Sequence, residues 1–152
     1  MELIVADGAG KTLFPLADFE LDMDSGWGDG VDNTFDLIVR DASAPLPEAA
    51  WRVYADGTEM GGRVERFELK TGRSSSELHW TGSTWSGVLA KRLLWPDAGQ
   101  DYLTLAGDAH AVLRQAVARP GLGSFFSVPE GDAGVAVRSR CSRAPPDPWA
   151  PL

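Results

Sequence analysis

The stretch HWTGSTWSGVLAKRLLWPDAGQDYLTLAGDAHAVL, residues 79–113, changes its hydrophobic period partway along. Up to Gly82 the side chains alternate, as on a strand. Beyond it, Ser83 or Thr84 can cap a helix in which Trp85, Val88 and Leu89 share one face. Pro96 ends anything helical before it, because its ring bars the preceding residue from helical torsions. Residues 101–105 then read as a short strand, and Asp108 caps a second helix. The stripe Ala109, Val112, Leu113, Ala116 and Val117 of that helix faces inward, Arg114 and Arg119 face out or favour its C-terminal dipole, and Pro120-Gly121 stops it.

Upstream, strand patterns dominate. Residues 2–6 form an apolar run ended by the turn pair Asp7-Gly8, and Phe19, Leu21 and Met23 alternate with Glu20, Asp22 and Asp24. After a loop at 25–32, residues 34–40 return as a β-rich run; 42–50 is a connection carrying Pro45 and Pro47. Residues 51–54, with Asp56-Gly57 as the turn after them, and 62–70 follow as strands, and 77–82 pairs with 62–70 across the turn TGRSSS. The fold class is therefore mainly β with two short helices, an α+β chain organised as a meander. Downstream, Phe125 and Phe126 dock near the second helix and 135–138 is a final strand. The last stretch, RSRCSRAPPDPWAPL, has no period, so the boundaries are a β-rich region at 1–138 and an irregular Pro-rich tail at 139–152.

A chain of 152 residues makes one domain, or two small subdomains sharing a core. It needs no disulfide or metal to fold, and its lone Cys141 excludes an internal disulfide and a Cys-based zinc site. A lone cysteine weakly favours synthesis in a reducing compartment. No secretory leader or membrane span is visible: the apolar run at 3–6 stops at Asp7. The net charge of −8 is uneven, with thirteen acids against three bases in residues 1–60. Such a segment lacks the basic footprint of ordinary nucleic-acid binding and reads first as a solvated acidic face.

Most candidate chemistry fails on spacing. Gly8-Ala9-Gly10-Lys11-Thr12 ends like a phosphate loop, but Val5 stands where the first glycine is needed and Phe14-Pro15 replaces the following helix, so a hairpin turn is read instead. The acids Asp22, Asp24, Asp29 and Asp32 do not fit an EF-hand from either start, which leaves an irregular calcium loop as the weaker alternative to an acidic loop. Gly26-Trp27-Gly28-Asp29-Gly30 lacks the spacing of a dinucleotide site. His79 and Trp80 project to opposite sides of a strand, His110 and Asp108 to different helix faces, and neither histidine pairs with Cys141. No catalytic residue and no cofactor are expected. The tryptophans at 27, 51, 80, 85, 95 and 149 could build a sugar-stacking platform, the reading of a small carbohydrate-binding β-domain, yet burial in a core or interface is their commoner fate.

Trp80-Thr81-Gly82-Ser83-Thr84-Trp85-Ser86-Gly87-Val88-Leu89 is similar to a joint in the N-terminal portion of siphophage and prophage tail-tip (baseplate) hub proteins. The resemblance continues through Pro96-Asp97-Ala98-Gly99, Asp101-Tyr102 and the run from Gly107 and Asp108 to Leu113; upstream, residues 1–4 and 57–62 fit in order. It covers most of residues 1–118. The positions that carry it are Trp80, Gly82, Thr84, Trp85, Gly87, Leu89, Pro96, Tyr102, Gly107 and Asp108.

The resemblance implies a structural protein of virion assembly: β-barrel-like domains, a homotrimer that closes the tail tube, contacts to the distal tail protein and to further hub subunits, and no catalytic, cofactor or metal residue. Its implied place is the virion tail tip, after synthesis in the bacterial host cytoplasm, with no membrane and no specific nucleic-acid partner. Trp85 is expected as a buried peg beneath the sheet, and the acidic first segment as a lining past which DNA slides without sticking. Members of the family continue past the 135–138 strand, whereas this chain turns to proline-rich sequence. The corresponding expectation is a truncated or frameshifted prophage remnant.

Overall fold

The computed structural model describes residues 1–26, 30–40, 43–48, 50–71, 76–92 and 94–142. The centre of the glycine-rich loop with Trp27 and Asp29, most of the TGRSSS turn, and the proline-rich residues 143–152 with Trp149 lie outside them. The chain divides into two compact units, Met1–Lys91 and Arg92–Leu152. Each has its own hydrophobic cluster.

In the first unit, β1 (Leu3–Ala6) and β2 (Thr12–Leu16) form a hairpin. Its turn is closed by the Asp7 carboxylate, which accepts the Ala9 and Lys11 amides at 2.9 Å each. Gly10, at φ 90°, supplies the left-handed residue the turn needs. Pro15 is tolerated because β2 is an edge strand, where a missing N–H leaves no ladder bond short. β3 (Phe19–Met23) pairs antiparallel with β4 (Thr34–Val39); apolar residues alternate with exposed polar ones along β3 and in β4 up to Leu37, after which half-buried Ile38 takes the outer position. β5 (Arg52–Tyr54), β6 (Gly61–Thr71) and β7 (Ser76–Thr84) follow, β6 and β7 as the expected long hairpin. α1 (Trp85–Ala90) begins directly at the end of β7 and stops six residues before Pro96, which therefore does not terminate it.

The seven strands lie in the order β2-β1-β5-β6-β7-β4-β3, all pairs antiparallel. Only β5-β6-β7 is a meander; β1 joins β5 and β4 joins β7 across long stretches of chain. The sheet is open: β2 and β3 are its edges, and no ladder between described residues closes it into a barrel.

One concave face holds the core. Trp80 is fully buried on β7, and Trp51, just ahead of β5, meets it edge-on with ring centroids 5.9 Å apart. Phe14 on β2 meets the other side of Trp51, also at 5.9 Å. These rings come from strands two places apart, a spacing of roughly 9.5 Å in a flat sheet. A single sheet that buries this face almost completely, with those rings in contact, curls around Trp51. Leu3, Val5, Leu16, Leu37, Val39 and Val53, all nearly inaccessible, complete the cluster.

In the second unit, β8 (Tyr102–Asp108) leads straight into α2 (Ala109–Ala118), and β9 (Ala136–Ser142) pairs antiparallel with β8 over its whole length. Val112, Leu103 and Leu105 are buried, with Leu94, Ala116, Val137 and Cys141 packed against them. Two expectations are corrected here. The final strand does not end at 138: it runs to Ser142, so the first four residues assigned to an irregular tail are paired, and Cys141 is an inward-facing strand residue. Leu113 of the expected inward stripe is 51% exposed, because one helical step from Val112 carries it off the buried face.

Trp80 is the largest fully buried side chain of the first unit's core. Trp80→Ala is expected to cost about 3–5 kcal/mol in urea unfolding followed by circular dichroism. Trp80→Phe should cost less, since it keeps a ring and removes an indole N–H that has no hydrogen-bond partner among the described residues.

Candidate functional site

The signature positions fall into two groups, one in each unit. The first six surround the passage from β7 into α1. The Asn33 carbonyl, just before β4, accepts the Thr84 amide at 3.0 Å and the Thr84 hydroxyl at 3.2 Å. That same hydroxyl accepts the Gly87 amide at 3.3 Å, capping α1 as the sequence suggested. Gly87 must lack a side chain, since a Cβ there would lie 2.3 Å from the Asn33 oxygen. Gly82 is under the same constraint: a Cβ would lie 2.0 Å from the Arg63 oxygen and 2.9 Å from the Phe35 ring, which also covers Gly62. Leu89 is half-buried on α1.

Trp85 is not the buried peg that was expected. It is only half-buried, with its indole nitrogen against Gly61, while Trp80 occupies the core. Helical spacing puts Trp85 on the same face as buried Val88, but at the first helical position that face is only partly covered.

A cluster that the sequence did not reveal lies beside the joint. β6 bulges between Val64 and Arg66, which turns Glu65 out of alternation. Glu65 accepts the Ser83 hydroxyl at 2.7 Å and Lys91 Nζ at 2.8 Å, and Lys91 also donates to Ser83 Oγ at 2.6 Å. A serine hydroxyl beside a lysine invites comparison with Ser–Lys hydrolases. Ser83 is fully buried, however, and its hydroxyl donates to Glu65, so the cluster clamps strand to helix. Partial burial raises the Glu65 carboxyl, but hydrogen bonds from Lys91 and Ser83, with the charges of Lys91 and Arg63, outweigh it and hold Glu65 below its ordinary value.

On the convex face, Asp22, Asp24, Asp36 and Glu65 line a groove of about 380 Å³, with Thr34, Phe35, Thr81 and Gly82. Close by, the ring nitrogens of buried His79 lie 3.5 Å from carboxylate oxygens of Asp36 and Glu77, beyond well-formed hydrogen bonds. Among the described residues no group of three or more His, Cys, Asp or Glu side chains is placed to hold a metal ion.

The remaining signature residues belong to the second unit. Asp108 caps α2: it accepts the His110 and Ala133 amides at 2.9 Å and the Gly134 amide at 3.0 Å. The Ala133 bond, then those from His110 and Gly134 and the His110 charge, hold its carboxyl below the usual range against slight desolvation. Gly107 sits within β8, opposite Val137, at φ 141°, a backbone conformation that suits glycine. Tyr102 is 47% exposed beneath the Arg140 guanidinium, 3.6 Å from its ring centroid. Pro96 follows Trp95, which is 52% exposed; both border a concavity completed by Asp97, Ala98, Gly99 and Gln100. Among the described residues no helix is long and apolar enough to cross a membrane. The chain matches no protein-family model, no curated protein and no solved structure.

Two outcomes follow from this geometry. Gly82→Ala should destabilise the first unit by at least the ~1–3 kcal/mol typical of overpacking, read from the urea midpoint. A carboxyl whose folded pKa is depressed stabilises the fold above its unfolded value, near 4.3 for glutamate, and loses that contribution as pH falls through the folded value. Glu65→Gln should therefore flatten the acid limb of the stability profile, measured by urea unfolding at several pH values between about 3 and 7; an unchanged limb would contradict the clamp.

Proposed function

We propose that the chain is a structural component of a phage or prophage tail tip, a baseplate-hub element acting in virion assembly and tail-tube closure. The observation that carries this reading is the use made of the signature residues at the β7–α1 joint. Gly82 and Gly87 are required for backbone approach, Thr84 bonds Asn33 and caps α1, and Trp80 fills the core. Side chains so committed make a rigid wall and leave no reactive pocket among them, which favours a scaffold over an enzyme. On this reading the open sheet is the barrel-like part of a hub, a homotrimer in the intact particle, docked on the distal tail protein and sited at the virion tail tip. The acidic groove fits a surface past which DNA travels, since like charge repels phosphate.

One observation favours a second reading. Trp95, exposed beside a polar concavity, could stack on a sugar ring. Trp51 and Trp80, both buried, cannot join it in a platform.

Binding to a purified siphophage or prophage distal tail protein separates the two. A stable complex by size exclusion is expected, together with no change in tryptophan fluorescence on adding soluble glycans. Glycan quenching that disappears in Trp95→Ala, without distal-protein binding, would replace the scaffold with a lectin-like role.

A further inference from the structure

We propose that the edge strand β9 of one copy pairs antiparallel with the edge strand β3 of a second copy, so that the sheets join from molecule to molecule. This deepens the assembly reading by naming the surface through which the chain meets itself.

Among the described residues, β3 is paired only with β4, and β9 only with β8. Their free edges carry opposite charge. β3 presents Glu20 and Asp22 on its exposed row, with Phe19, Leu21 and Met23 half-buried on the other. β9 presents Arg138 and Arg140 on its exposed row, with Val137 and Cys141 half-buried on the other.

The register follows from these rows. With Leu21 opposite Ser139, an antiparallel ladder sets Glu20 against Arg140 and Asp22 against Arg138, while Phe19 meets Cys141 and Met23 meets Val137. A slip of one residue in either direction would set Leu21 against an arginine and take Glu20 and Asp22 away from theirs.

A second observation concerns β3 itself. Asp22 stands directly opposite Asp36 in the β3–β4 ladder, and no ion pair among the described residues engages Asp22. Like charges so placed repel, and a guanidinium arriving on the free side relieves that repulsion. Glu20 already bonds Arg40 at 2.6 Å and Arg140 covers Tyr102, but the Glu20–Arg40 pair is exposed, and such pairs are cheap to exchange. Because β3 and β9 are different surfaces, the contact is head-to-tail, and copies joined this way form a ring or a filament.

Light scattering on the full chain up to about 0.5 mM tests the pairing, since a five-residue ladder alone is expected to be weak. Wild type should oligomerise. Arg138→Glu with Arg140→Glu should be monomeric, as should Glu20→Lys with Asp22→Lys, and all four substitutions in one chain should restore the oligomer. That restoration separates a lost contact from a lost fold. A monomeric wild type, an oligomer indifferent to either reversal, or failure of the combined chain to reassociate overturns the proposal. The register is read by oxidation: Phe19→Cys should cross-link to Cys141 of a neighbouring copy, and cross-linking through Met23→Cys instead would overturn the antiparallel arrangement. A wild type that stays monomeric yet binds the distal tail protein overturns the pairing alone. One that oligomerises as described without binding that protein overturns the tail-tip reading alone.

Discussion

The arrangement of the first unit depends on one carbonyl oxygen. Asn33 stands at φ 53°, a left-handed conformation that asparagine tolerates better than most residues, and this conformation leads the chain into β4. Its oxygen receives both the backbone and the hydroxyl of Thr84 at the far end of β7. Since Thr84 also caps α1, the start of β4, the end of β7 and the first turn of the helix are fixed at a single point. The β4–β7 ladder then runs in unbroken register from Thr34–Ser83 to Val39–Leu78. That register puts Trp80 beside Leu37 on the concave face; a slip of one residue would send the largest core side chain to solvent. The glycines at 82 and 87 follow from the same demand, because the backbones meet too closely there for any side chain.

What could be read from the sequence was local. The alternation up to Gly82, the cap at Thr84, the hairpin of β6 with β7 and the cap at Asp108 each depend on residues a few positions apart, or on two strands joined by a short turn. The order of the sheet could not be read in this way. β1 joins β5 and β4 joins β7 through contacts about forty to fifty residues apart, and the alternating pattern of a strand does not say which neighbour it will find. The full length of β9 was hidden because its inward positions, Val137, Ser139 and Cys141, are small or polar and are separated by arginines. The Glu65 clamp was hidden by the bulge, which breaks the period that sequence reading relies on. The partial exposure of Trp85 has a local origin: it shares a helix face with Val88, but it stands at the first helical position, where that face is only partly covered.

The acidic residues divide by what they do for the fold. Asp7 closes a turn, Asp24 accepts the Asp32 amide, Asp108 caps a helix and Glu65 clamps α1 to the sheet. Asp22 has no such task, and its place opposite Asp36 works against the ladder it belongs to. A residue that costs local stability without repaying it inside the molecule is better explained by what the surface meets. Pairing β3 with a basic strand would cover Glu20 and Asp22, while Asp24, Asp36 and Glu65 would still line the groove. A channel lining and a subunit contact thus make different demands on neighbouring carboxylates, and one acidic face can serve both: its edge is neutralised by the next copy, and its interior keeps the charge that repels phosphate.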